Sequence, residues 1–339
     1  MTDHEKLIDA WLEWKRHNQG KAENTTIKYR GYLDRLVKYL AARDRDLRSA
    51  ALEDLEAFTG LHAHKEGLSP RSRRPLVACV RGFYDWLRRN RYVDADPARD
   101  LPYPLAGAKL PVGMGLQNAE RLIMAPDIST FIGIRDAAMI STLIGCGLRI
   151  SGLTSLNESH LQFVQHEGVE WLIVRAVEKG GKERLVPAPH EVRLLIRAYL
   201  GHPDLDQIDR TLPSGDRVLF VSIRNRKVTA DKYFGEERRI ATRSVYDRIV
   251  SYGRAAGIPG DQLHPHALRH LYGTELAEEE VDLLRIQALL GHADPKTSQI
   301  YTRLAVRSLA KVVEKANPLR KIRTPVSDLV KQMGAARGK

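Results

Sequence analysis

Leu289-Leu290-Gly291-His292-Ala293-Asp294-Pro295-Lys296-Thr297-Ser298-Gln299-Ile300-Tyr301 is the stretch around which the rest of the chain can be read. It sets a tyrosine nine residues after a histidine, with a turn and a helix start between them. Asp294 and Pro295 form a capping residue and first helical residue, which puts Tyr301 on the second turn of a short helix. Alone, such a tyrosine is ordinary half-buried packing. Two upstream stretches change its meaning. In Leu263-His264-Pro265-His266-Ala267-Leu268-Arg269-His270, His266 and Arg269 stand three apart and share a helix face. Pro265 fits a helix start, where backbone N–H groups favour an anion. In Gly145-Cys146-Gly147-Leu148-Arg149-Ile150-Ser151, an arginine follows two glycines that are expected to break an apolar helix. His264 and His270 are read as core histidines.

Composition narrows the class of partner. The 339 residues are too many for one ordinary core and imply two domains. A hydrophobic content of 43% with 28% charged residues describes a globular protein. Lys+Arg 54 against Asp+Glu 42 leaves a net charge of +12, which suits a polyanion such as nucleic acid. The two cysteines, Cys79 and Cys146, form neither a disulfide framework nor a zinc spacing. With no signal-peptide pattern at the start and no membrane-length apolar run, a reducing cytoplasm is expected and a membrane is not.

Read in order, residues 5–105 are all-helical. Leu7, Ile8, Trp11, Leu12 and Trp14 make one apolar stripe. Thr25 or Thr26 caps a second helix, Ala51–Leu61 is a third, and Ser69-Pro70 opens a fourth. The fourth carries Arg71, Arg73, Arg74 and Arg81 on the side expected to be exposed, a pattern that suits either DNA phosphates or a solvated face. Pro102, Pro104, Gly107 and Pro111 mark a linker. The domain bounds read as 1–105, linker 106–113, 114–318, and a tail 319–339. The second domain is expected to hold helices at Asn118–Met124, Arg135–Ile144 and from Thr242 or Ser244 to about Gly257. Trp171–Val177 and Arg184–Pro187 read as a strand pair around a Glu178–Glu183 turn, and Leu219–Val221 as a further short strand. The fold class is therefore mainly α with a small antiparallel β-sheet.

Together the three stretches resemble the catalytic boxes of the tyrosine recombinase (phage integrase, Xer-like) family, whose members break and rejoin DNA. The resemblance implies a helical core-binding domain followed by an α+β catalytic domain. It implies that Arg149 and Arg269 clamp the scissile phosphate, because a guanidinium is permanently charged and binds non-bridging oxygens bidentately. It gives His266 proton transfer with the nucleophile, His292 a hydrogen bond to the phosphate, and Tyr301 the attack, leaving a 3′-phosphotyrosine. A tyrosine with an ordinary pKa near 10 needs such a base and nearby positive charge at neutral pH. Lys179, at the hairpin turn, would protonate the leaving 5′-oxygen. Lys182 is its competitor and otherwise, with Arg184, a DNA-backbone contact. No metal-ligand spacing appears and the arginines take a metal's electrostatic task, so neither metal nor cofactor is expected.

One position departs from the pattern: the family often carries an acidic residue three places after the first arginine, and here it is Gly152. The expected partners are double-stranded DNA with a specific site, further copies of the chain forming a tetramer on it, and accessory proteins. Two other classes share these features, a type IB topoisomerase-like nicking enzyme and a non-catalytic DNA-binding regulator. The apolar spacing of Val326, Leu329, Val330 and Met333 after Thr324-Pro325 reads as a short helix after a basic connector, Leu319–Arg323, that can be extended; the segment either folds back on its own domain, frays, or, as the resemblance implies, docks on a neighbouring subunit.

Overall fold

The computed structural model describes residues 2–107, 113–166, 169–178, 182–224, 228–291 and 312–326, without the side chains of His166, Val169, Glu178 and Lys182. Lys179, His292, Tyr301 and residues 327–339 lie outside them. The chain divides into two compact units, Met1–Lys109 and Leu110–Lys339.

The first unit is built from helices α1 (Asp3–Gln19), α2 (Glu23–Ala41), α3 (Leu52–Ala57), a π-helical turn Phe58–His62 leading into α4 (Ala63–Lys65), and α5 (Pro70–Arg89). Thr2 opens α1 with a capping box, its N–H donating to Glu5 Oε2 at 2.8 Å. Gly20 closes it at φ 57°. α2 starts at Glu23 rather than at Thr25 or Thr26. Thr26 instead points inward and donates to the Glu23 carbonyl at 2.8 Å. Trp11 forms the centre of the core, 5.4 Å from the rings of both Tyr29 and Phe83, so α1, α2 and α5 meet on one aromatic cluster.

In the second unit the first elements are α6 (Leu116–Met124), α7 (Phe131–Cys146) and the one-turn α8 (Ile150–Thr154). α7 is buried along nearly its whole length, as a helix apolar on all sides must be. Gly145 does not break it. A Cβ there would come within 2.9 Å of Leu319 and 2.8 Å of Val192, so this glycine lets neighbouring segments approach the helix. The sheet follows: β1 (Leu161–His166), β2 (Val169–Glu178) and β3 (Lys182–Ala188), antiparallel in that order, with Val174 opposite both Leu161 and Val186. β1 was not anticipated. Leu172, Val174, Ala176, Val186 and Ala188 fill the core from the sheet's inner face, the two-residue period of a strand.

Further helices among the described residues include α9 (His190–Leu200), α10 (Pro203–Asp206), α11 (Thr242–Ala255), α12 (Pro265–Glu278) and α13 (Leu283–Leu290). The expected strand at Leu219–Val221 is corrected. The segment is buried but makes only isolated bridges, because its backbone is satisfied partly by the separate segments at Leu156 and Ile240 and partly by side chains. Tyr199 donates to Leu219 O at 2.9 Å and accepts from Val221 N, while Arg135 donates to Val221 O at 2.7 Å.

The tail reading is corrected where the residues are described. Leu319–Lys321 is not extended but belongs to a 3₁₀ turn, Pro318–Lys321, capped by Asn317; the backbone becomes extended at Ile322, and Lys321 lies 2.9 Å from both Glu275 and Glu279. Asn317 Nδ2 donates to Gly145 O at 3.0 Å. Thr324 and Val326 are buried in their own unit, so the stripe expected to dock elsewhere begins packed at home. Among the described residues no helix is long and apolar enough to cross a membrane.

One buried charge group pins this unit together. Asp136 accepts from Arg135 at 2.8 and 3.0 Å, from Arg248 at 2.6 Å and from Tyr252 at 2.8 Å, joining α7 to α11. Arg135 and Asp136 are both about 1% exposed. Removing one partner of such a pair strands the other in low dielectric. Asp136→Ala is therefore expected to lower the stability of the full chain by about 3–5 kcal/mol in equilibrium urea unfolding. A loss under about 1 kcal/mol, the range of surface ion pairs, would show that the network is not a structural pin.

Candidate active site

The site forms where α7 ends. Gly147 closes the helix at φ 56°, in the left-handed region that favours glycine. A Cβ at 147 would also lie 2.3 Å from the Tyr272 ring, so this position needs glycine for its backbone and for its contact. The turn presents the Gly147 carbonyl to two guanidiniums. Arg269 Nη1 donates to it at 2.6 Å and Arg184 Nη2 at 3.5 Å. Two residues on, Arg149 takes the N-cap position of α8 in extended conformation, at φ −70° and ψ 148°. A residue between two helix ends is held by backbone on both sides, which fixes where its side chain starts.

Arg239 fixes α8 from the other end. Its Nη1 donates to Thr154 O and Leu156 O, both at 3.0 Å, and its Nη2 to Asn157 Oδ1 at 2.7 Å. Its Nε and Nη2 also meet Glu236 at 2.6 and 2.9 Å. The carbonyls at the end of a helix lack partners within it, and here one arginine supplies them. Gly152, where an acidic residue was expected, is buried on α8, and a Cβ there would sit 3.8 Å from Val177 O on β2.

α12 brings the second box. His264 is its N-cap, with Nδ1 accepting from Ala267 N at 3.0 Å, and Pro265 follows as the first helical residue. His264 is half-buried and His270 exposed, which corrects the reading of both as core histidines. His266 lies at the surface and Arg269, one turn on, is buried. The other Arg269 nitrogen donates to Leu290 O at the end of α13. Arg269 thus joins the C-termini of α7 and α13, two sites of partial negative charge.

The electrostatics record how close these groups stand. Burial pushes the Arg269 guanidinium down to about 9, and the charges of Arg184 and Arg149 push it the same way. Burial pushes Arg184 down to about 10, with Arg149 again opposing its charge. His266 is lowered by partial burial, then by Arg269, His270, His264 and Arg149. Burial raises the Tyr272 hydroxyl far above its ordinary value, and this ring shares the pocket with Cys146, Arg184 and Arg269. Like charges packed in low dielectric gain from any anion that joins them. A phosphodiester suits the cluster, since it gathers charge on oxygens that guanidiniums bind in pairs.

The structure therefore brings together Arg149, His266 and Arg269. Arg184 stands with them, half-buried on β3. Lys179, His292 and Tyr301 lie outside the described residues, as does the side chain of Lys182. On α5, Arg71 and Arg74 are exposed, while Arg73 and Arg81 are half-buried. Arg73 donates to Gly60 O, Arg81 to Leu101 O and Arg74 to Pro104 O, each at 3.1 Å. The Tyr103 ring lies 5.4 Å from both the Arg74 and the Arg81 guanidinium. Sequence reading missed Arg239 and Tyr272. Arg239 follows two glutamates in an irregular loop and has no motif. Tyr272 could have been found, since it lies three residues after Arg269 on the same helix face.

Comparison with known proteins places this geometry. Residues 114–307 match the phage integrase family, and residues 8–91 match the phage integrase N-terminal SAM-like domain. Tyrosine recombinase XerD of Proteus mirabilis is 33% identical over 318 residues, covering 93% of this chain and 94% of that one. In fold the chain is similar to XerH site-specific recombinase bound to difH substrate, with a TM-score of 0.60, 17% identity and coverage of 87% and 91%. It is similar also to a lambda integrase tetramer bound to a Holliday junction, with a TM-score of 0.61, 16% identity and coverage of 88% and 77%.

The cationic neighbourhood of His266 can be measured directly. Its depressed pKa favours the neutral ring in the folded state. Stability from this group is thus intact above the unfolded value of about 6.5 and falls as pH drops below it. In an NMR titration of the free protein the His266 ring is expected to protonate below 6.5. A value at or above that would mean that neither its partial burial nor the neighbouring charges act on it.

Proposed function

The chain belongs to the phage integrase family, and on that premise we propose that the Gly147 cluster is the phosphate site of its strand-cleavage reaction. It is a tyrosine-type site-specific DNA recombinase; the topoisomerase-like and regulator readings are not favoured by relatives of matching length. The observation that carries the site assignment is the convergence of Arg149, Arg269 and His266 on one helix end.

In the proposed reaction, Arg149 and Arg269 bind the non-bridging oxygens of the scissile phosphate and meet the extra charge of the transition state. Losing one such donor is worth about 10²–10³ in rate. Tyr301 attacks phosphorus, its proton passing to His266, and His292 adds a hydrogen bond to the phosphate. The P–O5′ bond breaks as Lys179 gives its proton to the leaving oxygen. The product is a 3′-phosphotyrosine and a free 5′-hydroxyl. Because a phosphodiester is exchanged for a phosphodiester, rejoining needs no nucleotide. The neutral His266 of the free site is a ring able to accept that proton.

The helical unit is proposed to grip the DNA, with Arg71 and Arg74 as its exposed phosphate contacts among the four arginines. Arg73 and Arg81 are half-buried and serve the same surface less directly. Assembly into a tetramer on DNA is proposed on the same footing, as the lambda integrase tetramer is found on a Holliday junction. Docking by the tail is proposed only for residues 327–339, since 324–326 begin against their own unit.

Two experiments test the assignment. Tyr301→Phe is expected to bind its DNA site normally and to form no covalent adduct on a nicked suicide substrate. An adduct that survives denaturation would move the nucleophile elsewhere. Lys179→Ala is expected to lose most cleavage on ordinary DNA and to recover when the bridging 5′-oxygen is sulfur, because a thiolate leaves without a proton. Rescue of Lys182→Ala instead would make Lys182 the acid.

A further inference from the structure

Arg239 has no place in the reaction so far, yet every nitrogen of its guanidinium is bonded to the end of α8 or to Glu236. Nη1 serves the carbonyls of Thr154 and Leu156, and Nη2 the side chain of Asn157. These acceptors lie at the last residue of α8 and just beyond it. The base of the side chain is fixed as well. Arg239 N donates to Glu236 O at 2.9 Å, and the residue pairs with Val221 in an isolated bridge. Next to it, Ile240 N donates to Phe220 O at 3.0 Å. Arg135, near the start of α7, holds Val221 O in turn. A continuous set of contacts therefore runs from α7 through Val221 and Arg239 to the end of α8.

A helix as short as α8 needs such a tie. It has five residues, and a single turn gains little from its own hydrogen bonds. The hydroxyls of Thr154 and Ser155 donate back to Ser151 O at 3.3 Å and Gly152 O at 3.1 Å, within the same turn. Gly152, in its middle, brings no side chain by which a neighbour could hold it. Leu153 and Leu156 are buried in the core and fix how deep the turn sits. Apolar burial is non-directional and leaves the tilt of so short a helix open. Hydrogen bonds at one end close that freedom, and Leu219 N adds a further one to Leu156 O at 3.1 Å. At a rise of 1.5 Å per residue, Arg149 at the N-cap stands about 7.5 Å along the axis from Thr154, so a tilt at one end moves the other. A misplacement of about 1 Å in a reacting geometry can cost about 10²-fold in rate.

We propose that Arg239 is a positioning residue of the cleavage reaction: by holding the C-terminal end of α8, it sets how Arg149 at the other end meets the scissile phosphate. This rests on the reading of Arg149 and Arg269 as the phosphate clamp. The role belongs to the planar fork rather than to the charge, because several acceptors are met at once. Lysine would keep the charge and lose the fork.

The test is a double-variant cycle on the full chain, read as single-turnover adduct formation at saturating DNA on a nicked suicide substrate. Adduct accumulates irreversibly there, so slow variants are followed over days. Arg239→Gln is expected to slow adduct formation about 10- to 100-fold and to leave site affinity within about 3-fold. Arg239→Lys is expected to match it within about 3-fold, since the fork is lost in both. In an Arg149→Ala background there is no guanidinium left to aim, so adding Arg239→Gln is expected to cost no more than about 3-fold further. A double variant as slow as the product of the two single losses would mean that Arg239 supports the unit in general, and overturns the proposal. A wild-type rate for Arg239→Gln overturns it as well, as does weakened binding at an unchanged rate, the behaviour of a DNA contact. If Arg239→Gln fails to fold, Arg239→Lys carries the same cycle with the same criterion. If Arg149→Ala forms too little adduct to count, a methylphosphonate at the scissile position replaces that arm, because its methyl removes a non-bridging charge that the clamp would meet. Equal losses of the Arg239 variant on both substrates then overturn the proposal. Arg149→Ala also separates the two claims. If it cleaves at the wild-type rate, the clamp reading has failed. If it is slow and the losses multiply, only the role of Arg239 has failed.

Discussion

The catalytic unit depends on a single backbone carbonyl. Gly147 O sits at the end of the most buried helix of the unit, where intrahelical partners have run out. Water would ordinarily satisfy such a group. Here Arg269 and Arg184 do so from α12 and β3, two elements far apart in sequence. The carbonyl is turned toward them because Gly147 adopts φ 56°, and the Tyr272 ring fills the space where a side chain would have been. A helix cap, a steric fit and two ion–dipole contacts therefore share one residue. With the backbone turned there, Arg149 must leave the helix two residues later and start the next one.

Two groups of arginines in the unit differ in kind, one around the buried Arg135 and one in which Arg269 is buried and Arg149 and Arg184 are half-buried. Arg135 lies against Asp136, which Arg248 and Tyr252 also satisfy, so charge and hydrogen bonds close within the group. Such a group tolerates burial because nothing is left unmatched. Arg149, Arg184 and Arg269 instead repel one another, and the pKa values of Arg184 and Arg269 fall together with burial. The first set fixes the frame, joining α7 to α11. The second gathers like charges near the C-terminus of the same helix. Both are anchored on α7, one near each end, so the rigidity of the first serves the second.

Much of this was legible in the sequence because it is written in local chemistry. Ser69-Pro70 and His264-Pro265 announce helix starts, and Gly147 announces a stop. The spacing of His266 and Arg269 gave a shared helix face without any coordinates. What was not legible depends on distant partners. Leu219–Val221 has the composition of a strand, but Tyr199 and Arg135 take the backbone groups a neighbouring strand would have used. Gly145 looks like a breaker and is a packing site, since its meaning lies in Leu319 and Val192. Arg184 looked like one more basic residue on a hairpin. Only the register of β3 against β2 puts it on the inner face.

The same helix end also explains how the chain beyond α13 is tied to the site. Asn317 donates to Gly145 O, and Leu319 packs where a Cβ on Gly145 would stand. Gly145 and Gly147 lie two residues apart on the last turn of α7. One receives the returning chain and the other receives the arginines. A shift of the segment around Asn317 would therefore act on the turn that aims the Gly147 carbonyl, through backbone atoms with little freedom to absorb it. Lys321, held by Glu275 and Glu279 on α12, connects the segment to the helix that carries His266 and Arg269. Residues 317–321 are thus tied both to the end of α7 and to α12. The glycines make the joint possible, because a larger residue at 145 would press on Leu319 of the returning segment and one at 147 on the Tyr272 ring of α12.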